Sequence, residues 1–552
     1  MKYKKTIEHI DKHMNDLLKD LQTLIRQPSI SAKNEGIEEC SILVSKMLKS
    51  AGISSEILRL NKTAAPLVFG EIRSKSNPSK TLLFYNHYDV QPIEPIEEWN
   101  DPPFSGKIIG NKIFGRGSSD DKGELITRIK AVEAYLKVYN DVPCNIKFCI
   151  EGEEENGSEN IKTYLKKFKK KFSCDAVIWE FGYVDTKNRP IVGLGMKGLL
   201  YVELSVKESI RDVHSSFATI IKNPAWRLID ALKTLRNSDG KILIKGWNED
   251  TLPLSNNDLK IIRKEPFDAT GFKDEYGIKN FVGNKNAFEA KKALVAGPTC
   301  NIAGIESGYT GDGAKTVLPA SAKVKIDFRL VPNMDPKKQV KLLKDHLKRN
   351  GFDDVTIKVL NAEAAARTST QEKIVDIVCR SAKEAFGDFI LNVSNAGTGP
   401  MHAFVSVLRV PCVSIGSSYI FCRMHSPNEF AKIDLLKKTT KCFCILIENF
   451  SISIQKHLVV FFNRSIFANS FGECILQKIN DEPIDTHGAC NTSTNACIGP
   501  VPALDMFKIY SPKIFFALSQ TTLTIFSSVE VRAAASAFRT LIDTSSNPVL
   551  FR

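Results

Sequence analysis

Short apolar runs rich in β-formers punctuate the first 200 residues, and each leads into a residue that can carry chemistry. Leu82-Leu83-Phe84-Tyr85 leads to His87 and Asp89, Ile146 to Ile150 leads to Glu153, Glu154 and Glu155, and Ala176 to Trp179 leads to Glu180. Such runs alternate with helical stretches, a pattern that predicts βαβ units and an α/β fold. In an open α/β sheet, ligands bind outside the carboxyl ends of the strands. The acids and histidine therefore fall on one functional edge. Asp120, in Gly115-Arg116-Gly117-Ser118-Ser119-Asp120-Asp121-Lys122-Gly123, precedes a helix predicted to begin near Gly123. At the start of the chain, Ile7, Ile10, Met14, Leu17, Leu21 and Leu24 recur at helical spacing and predict one amphipathic helix.

The pattern changes near Gly195-Met196-Lys197-Gly198. Leu199 to Val206 reads as a strand, and Pro224 to Leu235 as a helix beginning near Asn223. Lys323 to Leu330 alternates as a second strand, followed by a helix over Pro336 to Lys348 and a strand over Val355 to Val359. These elements predict a small α+β domain inserted into the α/β domain. The expected boundaries are 1–196 for the first part of the α/β domain, 197–364 for the insertion and 365–450 for the second part. The second part supplies His425, in Met424-His425-Ser426-Pro427-Asn428-Glu429.

Residues 451–552 differ in character. They hold 15 charged residues in 102, against 25% for the whole chain, and ten of its 32 phenylalanines. They form an extension with no assigned fold. Within it, the grouping of Cys490, Cys497 and His487 reads as chance.

Composition narrows the remaining classes. At 552 residues the chain is long enough for two or three domains, and 43% hydrophobic residues is ordinary for a soluble protein. No apolar signal segment opens it and no run of about 18 apolar residues occurs, so a cytoplasmic protein without a membrane span is expected. Thirteen cysteines in such a chain read as reduced thiols, and Cys442-x-Cys444 lacks the partner pair of a zinc site. The net charge of +14 raises the question of nucleic acid. Its densest run, Lys162 to Lys171, interleaves with Tyr164, Leu165, Phe168 and Phe172 at helical spacing, so it reads as the wet face of one helix. No nucleic-acid motif accompanies it.

Oxygen and nitrogen donors delivered from several strand ends point to a dinuclear metal hydrolase. Each donor has a plainer reading. His87 or His425 alone is more often a packed residue, Asp120-Asp121 suits a helix N-cap, and Glu153 to Glu155 suits a solvated turn. Glu180 resists this treatment, because an unpaired acid beside an apolar strand is costly to bury.

Taken in order, the segments resemble the co-catalytic metallopeptidase family of carnosinase-like dipeptidases, acetylornithine deacetylase and succinyl-diaminopimelate desuccinylase. The resemblance rests on His-Tyr-Asp-Val-Gln-Pro at 87–92, Glu-Glu-Trp at 97–99, Pro-Pro-Phe at 102–104 and the Gly-Arg-Gly-Ser-Ser-Asp-Asp-Lys-Gly segment. It continues through Glu-Gly-Glu-Glu-Glu-Asn-Gly-Ser at 151–158, Val-His-Ser-Ser at 213–216, Phe-Arg-Leu-Val-Pro at 328–332 and His-Ser-Pro-Asn-Glu at 425–429. It spans residues 1 to about 450.

The resemblance implies a metal-binding α/β catalytic domain with an inserted α+β dimerisation (lid) domain, working as a homodimer. It implies two divalent metal ions per subunit bridged by Asp120, with His87 and Glu180 on one and Glu155 and His425 on the other. Zinc is the first expectation, and the same donors suit manganese or cobalt. A carboxylate can span ions about 4 Å apart, which an imidazole cannot do. Glu154 is implied as the base and Asp89 as the residue that orients His87. His214 is implied as an oxyanion donor reaching the neighbouring subunit's site, with Thr316 beside it. Arg329 and the Gly397-Thr398-Gly399 loop are implied as holders of the substrate carboxylate.

Family members carry Asp or Glu at the position of Glu180, so that residue leaves the substrate class open. The expected activity is hydrolysis of the amide bond of dipeptides or short peptides through a metal-bound water. N-acyl amino-acid deacylation is the alternative. A non-catalytic dimeric scaffold is the reading from another class, and the filled ligand and base positions count against it.

Overall fold

The computed structural model describes residues 2–452, with Pro266 excepted. The extension expected at 451–552, with Cys490, Cys497 and His487, lies outside the described residues from 453 onward. An eight-stranded sheet forms the centre of an α/β fold. Its strand order is Ser54–Leu58, Leu67–Ile72, Asn145–Glu151, Thr81–His87, Ala176–Trp179, Cys412–Ser414, Ile191–Gly193 and Ile390–Asn392. From Asn145–Glu151 to Cys412–Ser414, adjacent strands are parallel. Those strands are nearly continuous apolar runs because both sheet faces are covered. One face packs Phe84, Phe148 and Ile178 against helices, and the other packs Tyr85, Cys149 and Trp179 with Phe404.

Lys122–Tyr139 is a helix that leaves the carboxyl edge of the sheet and buries most of its length. Gly123 has to be glycine there: a Cβ would lie 2.2 Å from the Ser118 carbonyl oxygen. The helix Ile433–Ile452 closes the same layer, and its Cys444 carbonyl accepts a bond from Tyr135. Cys442 and Cys444 are both buried in it, and residues two apart on a helix do not face each other. The ten described cysteines are all free thiols. No helix among the described residues is long and apolar enough to cross a membrane.

The chain leaves this sheet after Ile191–Gly193, and Gly195–Met196 then pairs with Ala366–Arg367 in a separate two-stranded ribbon. Between them lies a four-stranded antiparallel sheet in the order Asn301–Ser307, Ser321–Leu330, Gly198–Lys207 and Thr356–Glu363. Gly198–Lys207 and Ser321–Leu330 alternate between buried and less buried positions, as one covered face requires. The cover is the helix Pro224–Leu235, capped by the Asn223 side chain, and the helix Pro336–Arg349, capped by Asp335. The intervening stretch adds helices Asn256–Lys264, Ala269–Tyr276 and Ala287–Ala296, which the periodicity did not reveal.

Two helices differ from expectation. The first is split at His13 into Tyr3–Lys12 and Met14–Arg26, yet both parts bury the same apolar series through Ile10, Leu17, Leu21 and Leu24. The lysine-rich stretch is two short helices, Ile161–Lys167 and Lys169–Phe172, because Phe168 leaves helical geometry. The break accompanies burial of Phe172 in the same cluster as Tyr164 and Leu165.

Candidate functional site

Three parallel strands deliver the first set of side chains. His87 ends Thr81–His87, Glu154 and Glu155 form the turn after Asn145–Glu151, and Glu180 follows Ala176–Trp179. Asp120 and Asp121 stand just before the helix Lys122–Tyr139, joined by a cis peptide bond. His425 arrives from the loop after Cys412–Ser414 with φ +57°, a left-handed conformation that a non-glycine residue holds only under constraint.

Asp120 lies between the two histidines. Its Oδ1 is 3.1 Å from His87 Nε2, and its Oδ2 is 3.0 Å from His425 Nε2. Glu155 Oε2 is 3.3 Å from His425 Nε2, and Glu180 Oε2 is 3.9 Å from His87 Nε2. Two donor groups result, His87 with Asp121 and Glu180, and Asp120 with Glu155 and His425, each with atoms within 4.8 Å of one another. Asp121 was absent from the expected set. Its Oδ2 accepts from Asn86 Nδ2 at 2.6 Å and from the His87 amide at 3.2 Å. It occupies the N-cap position of its helix without making a side-chain cap bond.

Asp89 does more than orient one ring. Its backbone oxygen lies 3.0 Å from His87 Nδ1, with its carboxylate at 3.3 Å. A carbonyl can only accept, so Nδ1 carries a proton and Nε2 is left to face Asp120 and Glu180. The same carboxylate accepts the amides of Glu154 at 3.1 Å and Glu155 at 3.0 Å. One buried acid thus registers the histidine against the glutamate turn. Gln91 donates to Glu155 Oε2 at 2.8 Å, and Glu153 faces away to hold Asn160.

The electrostatics fit a cation. Burial, with neighbouring acids adding to it, pushes Glu154, Glu180 and Asp121 well above the ordinary carboxyl range, and Glu155 above it as well. Burial opposes ionisation of Asp120 too, but hydrogen bonds from His425 and His87 more than offset it and hold its carboxyl low. Asp120 and Glu155 push His425 up to about 10. Burial pulls His87 down, and Glu180, Asp120 and Asp89 overcome that pull. The two imidazoles, with the Arg128 guanidinium behind them, are the positive charge that faces this crowd of acids. Glu180 Oε2 and Asp121 Oδ1 are buried without a hydrogen-bond partner, which is costly unless a cation or proton meets them. Hard oxygen donors with one imidazole per group suit divalent metal ions.

Two further buried acids support the site from outside the donor groups. Glu429 is fully buried and accepts from Arg116 and from the amides of Gly117, Ser119 and Asp120. Its presence in the 425–429 segment was the available signal. Glu124 and Arg128, one turn apart on the helix after Asp121, tie strand ends together. Arg128 donates to the Trp179 carbonyl at 2.7 Å, and Glu124 accepts from the Ser417 amide and hydroxyl.

The expected substrate residues fall in two places. Arg329 Nη1 donates to Thr398 Oγ1 at 2.7 Å, and the Gly397 carbonyl accepts from the Lys197 amide. Gly399 sits so close that a Cβ would lie 3.2 Å from Trp179 and 3.3 Å from Met196. His214 and Thr316 share a small ribbon: Val213–His214 pairs with Val317–Leu318, and the Ser215 amide donates to the Thr316 carbonyl. Both are exposed, and His214 Nδ1 is held by Ser216. Neither residue belongs to the two donor groups of its own chain.

The pattern of peptidase family M20/M25/M40 matches residues 83–449. The Cys-Gly metallodipeptidase of Schizosaccharomyces pombe is 27% identical over 472 residues, covering 81% of this chain and 98% of its own length. The β-Ala-His dipeptidase of Homo sapiens is 30% identical over 305 residues, covering 53% of this chain and 59% of its own. Among solved structures, an M20 family metallo-carboxypeptidase from Sulfolobus solfataricus is 38% identical with a TM-score of 0.75, over 79% of this chain and 99% of that one.

Proposed function

Because the chain belongs to peptidase family M20/M25/M40, we propose that it is a metal-dependent hydrolase that cleaves the amide bond of dipeptides or short peptides. The observation that carries this reading is the Asp120 carboxylate, which turns one oxygen to each histidine with further acids on both sides. His87, Asp121 and Glu180 would hold one divalent ion, Glu155 and His425 the other, and Asp120 would span both. Zinc is our first choice, with manganese or cobalt served by the same donors. Bound there, the ions would polarise the scissile carbonyl and make water more acidic.

The remaining work belongs to the chain. Glu154, raised by burial and by its acidic neighbours, is suited to take a proton from the attacking water. As the carbon–nitrogen bond breaks, it returns that proton to the leaving amine, and the second proton of the water follows from the new carboxyl group, so the products are a carboxylate and an ammonium group. Asp89 keeps the His87 ring and the Glu154 amide in register. Arg329 and Thr398 would hold the terminal carboxylate through paired donors. The exposure of His214 supports a role across a two-fold axis, donating to the oxyanion of a second subunit, with Thr316 beside it. In this arrangement the four-stranded sheet and its helices, from about 197 to 364, form the lid and dimerisation domain.

Glu154→Gln tests the assignment. The variant should bind two metal ions per subunit and lose several powers of ten in kcat, because the base touches water rather than metal. Near-normal turnover would remove Glu154 from the role. Running acetylated and succinylated amino acids beside dipeptides separates peptidase from deacylase.

A further inference from the structure

An apolar wall runs from one donor group to the other along the segment after Glu180. Gly182 presses against the loop after Cys412–Ser414, where a Cβ would lie 2.1 Å from the Gly416 nitrogen. The residues on either side, Phe181 and Tyr183, have rings 4.5 Å apart in an edge-to-face arrangement. Tyr183 pairs in parallel register with Ser418, whose hydroxyl donates to the Ser119 carbonyl, next to Asp120. The Tyr183 hydroxyl reaches Met424 Sδ at 3.4 Å, and Met424 immediately precedes His425. The wall therefore starts beside Glu180 and ends beside His425.

This surface is available and apolar. Phe181, Tyr183 and Met424 are each only half-buried. Beyond them the same loop exposes Ile420 at 43% and Phe421 at 55%. The one hydroxyl on the wall is spent on a thioether, which is a weak acceptor. Burial, with the nearby Asp120 charge contributing, pushes the phenol up to about 12, so the ring stays neutral. Apolar surface continuous with a polar site marks a place where ligand is held.

The other end of the substrate fixes which side chain rests there. Arg329 and Thr398 meet on the Met196 and Trp179 side, where Gly399 packs. A carboxylate anchored there leaves the Tyr183–Met424 end of the wall to the residue on the acyl side of the scissile bond.

We propose that Phe181, Tyr183 and Met424 receive a bulky apolar side chain on the acyl side, so the preferred substrates are peptides with a large aliphatic or aromatic N-terminal residue. The inference rests on the hydrolase reading for its orientation, and binding tests it separately from turnover. Metal-loaded Glu154→Gln protein would be titrated calorimetrically with Gly-Gly, Phe-Gly, Leu-Gly and Gly-Phe. Phe-Gly and Leu-Gly should bind roughly tenfold or more tighter than Gly-Gly, the scale on which an apolar pocket discriminates, and Gly-Phe should gain less. Phe181→Ala with Tyr183→Ala in that background should erase the gain, and Met424→Ala should reduce it. Equal binding of Phe-Gly and Gly-Gly overturns the proposal without needing any pocket variant. A gain that survives in the folded double variant also overturns it. If Phe-Gly binds selectively but wild-type enzyme leaves every peptide intact, the pocket stands and the hydrolase reading falls.

Discussion

Removing the Glu429 carboxylate should damage both stability and metal binding, because one buried acid holds the whole backbone turn that carries Asp120. Its Oε2 accepts from Arg116 Nη1 at 2.7 Å and the Gly117 amide at 3.1 Å, and its Oε1 accepts from the Ser119 and Asp120 amides at 2.9 and 3.1 Å. Both Arg116 and Glu429 are about 1% exposed. In Glu429→Ala a buried guanidinium loses its counter-ion, a change that costs about 3–5 kcal/mol. The three amides left behind would each cost about 1–3 kcal/mol if they stayed dry, but the space vacated by the side chain admits water, so these terms do not simply add. A loss of about 4 kcal/mol is a large part of the ~5–15 kcal/mol that holds an ordinary domain together. The Asp120 amide is one of the freed groups, so the metal affinity of the site should fall by about 10–100-fold, the usual scale for losing a support of a ligand. Urea melts with chelator, followed by metal titration of the folded protein, read the two effects separately. An unchanged melting midpoint together with unchanged metal affinity would refute the argument.

His214→Ala and Glu154→Gln should each be inactive while binding metal. Mixed and reassociated, the pair should recover activity, because one hybrid site would hold both wild-type groups. Confirmed heterodimers without recovered turnover would count against His214 acting across subunits. Burial, with the charges of Asp89 and Glu153 adding to it and hydrogen bonds from Tyr85 and Ser158 only partly opposing it, leaves Glu151 pushed up to about 8, so folding keeps on the carboxyl a proton that the unfolded chain releases above about 4.5. Stability of the chelated protein should therefore fall as pH rises between those values. Glu124 and Glu363, at about 7 through burial, act in the same direction. Glu151→Gln should flatten part of the slope in urea midpoints taken from pH 5 to 8. A wild-type midpoint that rises across this range would contradict the assignment.

What could be read in the sequence was local, and what could not was mostly distant. The strand before His87 and the strand before Glu180 announce themselves as apolar runs, and Asn223-Pro224 marks a helix start by its cap chemistry alone. The role of Asp121 was hidden because two adjacent acids before a helix look alike in one dimension. Only the fold turns Asp120 to the histidines and Asp121 to Asn86 and His87. Glu429 makes its bonds to residues more than 300 positions away, beyond the reach of any periodicity. The helices between 256 and 296 are only eight to ten residues long and largely exposed, too short for their apolar residues to repeat over more than two turns. At His13 and Phe168 the helical spacing of apolar residues holds on both sides of a break, and the residues on each side stay on the core.

The order of the strands makes metal binding a report on the complete fold. Cys412–Ser414 lies between Ala176–Trp179 and Ile191–Gly193, so a segment from after the inserted sheet fills a place within the main sheet. Until it does so, the loop that follows cannot bring His425 to Asp120 or Glu429 to Arg116. The group formed by Asp120, Glu155 and His425 therefore assembles only from residues that are far apart in the chain, whereas His87, Asp121 and Glu180 lie within one stretch of it. An ion bound at the group of Asp120, Glu155 and His425 would bind only the closed domain, so its binding free energy would add to the stability of that fold by linkage.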